Sequence, residues 1–264
     1  SPHSLVGTSF TADQFGKLLP TPYPRKKLDH SSPNRVLGVG PPLSWVLTSL
    51  KDHSNCSMVI GYKSEDMPDR YQNFNELSQN ENAFVVEQNL VPNSTWLIAA
   101  PHGGNIESGT TEIARAISHA SSSSYYSFIG KKEPDGGDLH LTSHHFDEPI
   151  ALQLAASHPR LLCVHGILAE NGEGAWLIPG GAYRQAQELL KQNLKGIVNL
   201  REETPLGKKY PGVHPKNICN RGSRGEGLQI ELSSELRKQL LSNPHFLESY
   251  SQNNVDTLKN LDKF

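Results

Sequence analysis

Two apolar runs too short for helices constrain this chain most: Trp96-Leu97-Ile98-Ala99-Ala100 and Leu161-Leu162-Cys163-Val164. A bounded run of four or five such residues marks a strand covered on both faces. Stretches with helical spacing come between and after them. Ile113, Ala114 and Ile117 follow a start at Thr110 or Thr111, and Ile150, Leu152 and Leu154 follow a cap at Asp147. Ala182 to Leu194 closes at Gly196, and a last helix runs from Ser233 or Ser234 to about Leu241. Further strands are expected at residues 125–129, 139–142, 176–178, 197–200 and 228–232. Strands alternating with helices predict an α/β fold: an open, mixed but largely parallel sheet flanked by helices.

The flanks read differently. Prolines 20, 22, 24, 33, 41 and 42 punctuate residues 1–66, which we read as an N-terminal extension or wrapping arm with one short helix near Leu43 to Leu50. Residues 67–245 carry the α/β pattern, starting with a short helix capped by Asn73 and containing Phe74 and Leu77. Residues 246–264 read as a polar C-terminal tail, a loosely packed helix at most.

Net charge excludes one class of partner. At −2 the chain lacks the basic excess of a general nucleic-acid binder. No apolar run approaches the roughly 20 residues that cross a bilayer, and no signal peptide is visible. A local basic stretch, Lys208, Lys209, Lys216, Arg221 and Arg224, is either a solvated loop or an anion-binding rim. Of three cysteines, Cys163 is expected to be a buried thiol, while Cys56 and Cys219 sit in polar stretches where a bridge between them is conceivable.

The chemistry gathers behind the strands. In open α/β sheets ligands bind beyond the carboxyl ends of the strands. His102 and Glu107 follow the run 96–100 on a glycine-rich turn, Pro101-His-Gly-Gly-Asn-Ile-Glu107, and His165 follows the run 161–164. Two histidines and one carboxylate are a known catalytic zinc set that leaves a fourth position for water. In Gly227-Leu-Gln-Ile-Glu-Leu-Ser233 the period of two separates Leu228, Ile230 and Leu232 from Gln229, Glu231 and Ser233. Glu231 can therefore face the cleft as a general base. Each residue also has an ordinary reading: a capping histidine, a carboxylate at a helix start, a solvent-facing strand residue. A competing cluster, His140, His144, His145, Asp147 and Glu148, is explained by a helix cap at Asp147, and we assign it no metal.

Several short motifs in order resemble the phage-type poly-γ-glutamate hydrolases. They are Tyr71-Gln-Asn-Phe-Asn-Glu-Leu77, Ala100-Pro-His-Gly-Gly-Asn-Ile-Glu107, Gly109-Thr-Thr-Glu-Ile-Ala114, Leu139-His-Leu-Thr142, Phe146-Asp-Glu-Pro149, Val164-His-Gly166, Gly180-Gly181, Asn217-Ile-Cys-Asn-Arg221 and Gly227 to Ser233. The likeness spans about residues 70–240. It implies a zinc carboxypeptidase-like fold, Zn2+ held by His102, Glu107 and His165, and Glu231 as the catalytic carboxylate. It also implies an anionic polymer or peptide as substrate, a monomer, and an extracellular or released protein. The Asn220-Arg221 pair resembles the pair with which zinc carboxypeptidases hold a substrate carboxylate, and Arg224 is a further candidate. A guanidinium forks onto a carboxylate with two hydrogen bonds. Polarising the scissile carbonyl, or a structural ion pair, remain alternatives for Arg221. The activity expected is hydrolysis of γ-glutamyl isopeptide bonds. The alternatives are a zinc carboxypeptidase or deacylase with another acyl substrate, and a metal-stabilised module that binds an anionic polymer without turnover.

Overall fold

The computed structural model describes residues 69–133, 136–167 and 174–261. The arm expected over residues 1–66, its helix near Leu43 and Cys56 lie outside the described residues. Chain order is α1 (Phe74–Asn80), β1 (Phe84–Asn89), β2 (Trp96–Gly104), α2 (Thr110–Ser121), β3 (Ser124–Gly130), α3 (Pro149–Ser157), β4 (Arg160–Ile167), β5 (Trp176–Gly180), α4 (Arg184–Leu194), β6 (Asn199–Leu200), α5 (Pro205–Lys209), β7 (Leu228–Ser233), α6 (Ser234–Ser242) and α7 (Pro244–Leu261).

The strands form one sheet in the order β1-β3-β2-β4-β7-β5-β6. The inner four, β3, β2, β4 and β7, run parallel, while β1 pairs antiparallel with β3 and β5 antiparallel with β7. The expected mixed, largely parallel sheet flanked by helices is thus present. From β2 the chain moves to β3 on one side, then returns to lay β4 on the other. The order reverses between β2 and β4, and a crevice opens at such a point beyond the carboxyl ends of the strands.

Each sheet face buries its own core. On one side Ile98, Ala100, Leu162, Val164, Ile230 and Leu232 pack against α2, α4, α6 and α7. On the other, Leu97, Ala99, Tyr126, Phe128, Leu161 and Cys163 meet Leu77 of α1 and Ala151, Leu154 and Ala155 of α3. Alternate residues of one strand therefore serve opposite layers, as the pleat requires.

The structure departs from the sequence expectations in four places. Residues 139–142 form no strand: a 3-10 turn at Gly137–Leu139 leads into irregular backbone. Polar groups there are committed to side chains, with Leu141 O accepting from His102 Nε2 and Thr142 N donating to Asp69. The cap of α3 is Glu148, whose carboxylate accepts from Ile150 N and Ala151 N. Asp147 instead accepts from Phe74 N, tying α1 down. Of the segment read as a polar tail or loosely packed helix, residues 246–261 belong to α7 and are firmly packed, with Leu247, Tyr250, Val255, Leu258 and Leu261 buried. Its apolar residues are diluted by Ser, Asn and Gln, so the stripe is faint in sequence although the packing is complete. Cys219 is a free, buried thiol like Cys163 and not a loop cysteine in a bridge.

Candidate metal centre

A single extra residue builds this site. In β2, Leu97 and Ala99 face one layer, and Ile98 and Ala100 the other. Strict alternation would send His102 among the aliphatic side chains around Ile98 and place Pro101 opposite His165, since Ala99 pairs with Cys163. Instead the register with β3 slips. Ala100 pairs with Ser127 but Gly103 pairs with Ile129, so three steps along β2 match two along β3. This is a bulge, which re-aims side chains. It turns His102 to the layer of Cys163 and His165. Gly103 suits the same spot for lack of space, because a Cβ there would lie 2.1 Å from Thr111 Oγ1 and 2.4 Å from Ser127 Oγ. His102 and His165 therefore lie inside β2 and β4, not beyond their ends as the sequence suggested.

The imidazoles and the carboxylate converge. His102 Nδ1 is 2.7 Å from Glu107 Oε1 and 3.2 Å from His165 Nδ1. His165 Nδ1 is 3.7 Å from Glu107 Oε2, which also accepts from Gly166 N at 2.7 Å. His102 Nε2 donates to Leu141 O at 2.8 Å. A carbonyl only accepts, so that nitrogen carries a proton, and Nδ1 is the ring atom turned to Glu107 and His165. His165 Nε2 lies 3.4 Å from Ser143 Oγ.

Electrostatics point the same way. Burial opposes protonation of His102, but the Glu107 carboxylate outweighs it and raises the pKa. Burial would raise the Glu107 pKa, yet the two histidines pull it well below the ordinary carboxylate range. Burial keeps His165 on the neutral side, lowering its pKa. An ionised, half-buried carboxylate with two imidazole nitrogens is thus an attractor for positive charge.

The donor set fits a small divalent cation. Ligands about 2.05 Å from a tetrahedral zinc stand roughly 3.3 Å apart. The two Nδ1 atoms stand 3.2 Å apart, near that value, with Glu107 Oε1 2.7 Å from His102 and Oε2 3.7 Å from His165. Imidazole nitrogen and carboxylate oxygen suit zinc, and the second hydrogen bond of His102 supplies the outer support that such ligands use.

His140, to which the sequence reading gave no metal role, also reaches this centre. Ligand atoms of His102, Glu107 and His140 lie within 4.8 Å of one another. The His140 ring is 4.2 Å from that of His102, and its Nε2 is 3.9 Å from Glu107 Oε1. Its Nδ1 faces Asp69 Oδ1 at 2.8 Å. Nothing local in Leu139-His-Leu marks this residue. It becomes visible only when residues 139–142 cross the mouth of the crevice. Asp69 was missed for the same reason.

Glu231 pairs in register with His165 on the adjacent parallel strand. Partners across a sheet share a face about 4.8 Å apart, so Glu231 belongs to the same layer, as the period of two predicted. Its carboxylate accepts from Gln229 Nε2 at 3.1 Å, and the Gln229 oxygen accepts from Asn217 Nδ2 at 2.9 Å. The glutamine is thereby fixed with its amino group toward Glu231.

Among the described residues, no hydrogen bond or ion pair links Asn220, Arg221 or Arg224, the three expected to hold substrate, to His102, Glu107 or His165. Asn220 is buried and its amide is fully used: the oxygen accepts from Ala182 N and Gly227 N, and the nitrogen donates to Gly212 O and His214 O. Arg224 N donates to Pro159 O, and Gly222 abuts Pro159 and Arg160. That is the start of β4, five residues upstream of His165, or roughly 16 Å at about 3.3 Å per residue. Arg221 and Arg224 are both exposed, and Arg221 N donates to Ile218 O, whose own N donates to Ser143 O. Beside the cluster itself lie other nitrogens: the His144 ring is 5.1 Å from that of His214, and Lys216 helps to lower the His144 pKa, after burial and the two neighbouring histidines.

Residues 71–263 match the family model of poly-gamma-glutamate hydrolases. YndL of Bacillus subtilis (strain 168) is 36% identical over 175 residues, 65% of this chain and 67% of YndL. The SPbeta prophage-derived protein YoqZ of the same organism is 34% identical over 177 residues, 66% of this chain, and the match spans 62% of YoqZ. A solved bacteriophage poly-gamma-glutamate hydrolase superposes with a TM-score of 0.68 at 25% identity, covering 74% of this chain and 99% of that one. A zinc-free structure of YndL superposes with a TM-score of 0.65 at 33% identity, covering 73% and 98%. The matched region holds β1 through α7 and every residue of the imidazole–carboxylate cluster, and on that ground the chain belongs to the poly-gamma-glutamate hydrolase family.

Proposed function

We propose that this member of a hydrolase family is a zinc-dependent amide hydrolase that cuts γ-glutamyl isopeptide bonds in poly-γ-glutamate or a related anionic peptide. The observation that carries the reading is the meeting of two imidazole Nδ1 atoms 3.2 Å apart beside the half-buried Glu107 carboxylate. His102, Glu107 and His165 would hold the ion. A zinc ion in such a set lowers the pKa of a coordinated water to about 7 and polarises a carbonyl oxygen.

The chain's own residues do the rest. Glu231, oriented by Gln229, takes a proton from the attacking water and delivers it to the leaving amine as the C–N bond breaks. His140, steadied by Asp69, presents Nε2 to the same space and can hydrogen-bond the scissile amide. Were it a fourth ligand, the set would be closed, which is the habit of structural sites. Lys216 would offer positive charge, and the His144–His214 pair ring nitrogens, to carboxylates of the substrate. Arg221 and Arg224, further back, would meet carboxylates several residues along an extended polyanion. A long anionic polymer as substrate points to an extracellular or released enzyme.

The deciding experiment is metal analysis of the purified protein, with poly-γ-glutamate chain length followed before chelation, after it and on return of zinc. Internal cuts that vanish and return support the reading. Single residues released from α-peptides favour the carboxypeptidase alternative. Polymer binding with no new amine groups would leave only the binding module.

A further inference from the structure

One buried side chain ties together the three segments that carry the candidate site. Arg237, on the second turn of α6, is 6% exposed. Its Nε donates to Ser108 O at 2.8 Å, and its Nη1 donates to Ile167 O at 3.2 Å and to Leu232 O. Ser108 follows Glu107, Ile167 lies two residues after His165, and Leu232 follows Glu231. One rigid, planar group thus reaches the backbone beside a carboxylate ligand, an imidazole ligand and the base. These segments are far apart in sequence, with Arg237 129 positions from Ser108 and 70 from Ile167.

The fit is specific to a guanidinium. Its donors diverge within one plane, whereas an ammonium offers all of its donors from one atom and cannot span three strand ends. Gly166 makes room for it. A Cβ on Gly166 would sit 2.3 Å from Nη1 and 2.6 Å from Cζ of Arg237. The φ of Gly166 is not in the left-handed region, so the glycine answers a need for space. The amide of Gly166 is also the donor to Glu107 Oε2. The plate that Arg237 lies against is the one that orients the carboxylate.

We propose that Arg237 is a positioning residue for the metal centre: it fixes the separations of Glu107, His165 and Glu231 by clamping the backbone behind each. The inference rests on the reading of the cluster as a zinc hydrolase site. It predicts an effect on metal affinity and turnover out of proportion to any effect on the fold. Outer supports of metal ligands typically contribute about 10–100-fold in affinity or activity.

The test uses Arg237→Lys, Arg237→Ala and Gly166→Ala in the full chain. Zinc dissociation constants are measured by chelator competition, kcat and KM on poly-γ-glutamate, and thermal midpoints on metal-free protein. Expected are zinc affinity weakened about tenfold or more, kcat lowered with KM little changed, and Gly166→Ala resembling Arg237→Lys. Methylguanidinium should restore part of the activity of Arg237→Ala saturably, and methylammonium should not. If Arg237→Ala fails to fold, the lysine and Gly166→Ala variants decide. Wild-type zinc affinity and kcat in Arg237→Lys, with only a lower thermal midpoint, would overturn the inference while leaving the hydrolase reading intact. Failure of the wild-type protein to bind zinc or cut the polymer would remove both.

Discussion

The Nδ1 atoms of His102 and His165 face one another across 3.2 Å, though the residues are 63 positions apart. His102 Nδ1 also lies 2.7 Å from Glu107 Oε1, so both imidazoles and the carboxylate turn toward one point. His165→Ala should therefore weaken zinc binding by more than about a hundredfold, beyond what outer supports contribute. The fold should survive, since among the described residues the His165 side chain meets the side chains of Ser143, His102 and Glu107 rather than backbone. Chelator competition with circular dichroism checks both. Unchanged zinc affinity would remove His165 from the ligand set.

Glu231→Gln keeps size and the strand contacts of β7 but cannot accept a proton. Turnover should fall by about 10²–10⁴-fold, the usual contribution of a positioned acid or base, with zinc content unchanged. Steady-state kinetics alongside metal analysis read this directly. Full activity in the variant would take Glu231 out of the mechanism.

Asp69 gives the protein an acid-sensitive joint. Burial alone would raise its pKa, but hydrogen bonds from His140 and Thr142 outweigh it and hold the carboxyl far below the ordinary range. A depressed folded-state pKa stabilises above the unfolded value, about 4. That contribution is lost as pH falls through the folded value. Asp69→Asn should cost about 1–3 kcal/mol at pH 7, as for hydrogen bonds to a charged group. The difference from wild type should shrink below pH about 4. Urea midpoints at neutral and acid pH test the sign. A gap that widens in acid contradicts it.

Asn220 separates a structural role from a binding one. Its amide closes four hydrogen bonds to backbone groups around Ala182, Gly212, His214 and Gly227. Asn220→Ala leaves those groups unsatisfied and should cost on the order of 2–3 kcal/mol. At a temperature where the variant is folded, KM for a short γ-glutamyl substrate should stay near the wild-type value. A large rise in KM with full stability would return Asn220 to the substrate.

Legibility followed the range of the forces involved. The inner strands were readable because burial on both faces demands continuous apolar runs, and Glu231 was placed correctly because a period of two is a local property. Asn73 at the start of α1 was likewise legible, its side chain accepting from Glu76 N. What escaped was set by distant partners. His140 and Asp69 join the site because residues 139–142 give up a ladder to bond side chains from elsewhere. Asp147 resembled a cap in sequence, yet its carboxylate went to Phe74, 73 positions away, and Glu148 took its place. The motif Asn220-Arg221 was visible, but motif alone does not reveal that the asparagine amide is taken up by four backbone groups.

The slipped register in β2 makes the length of one segment a matter of function. Removing Pro101 would take out the extra residue and shift His102 and the turn to Glu107 by one position against the neighbouring strands. Sequence drift by substitution can be absorbed around it, as the variety of side chains in the crevice permits. A change of count by one cannot, so across descendants of this chain the stretch from Trp96 to Glu107 should keep its length even where its letters vary.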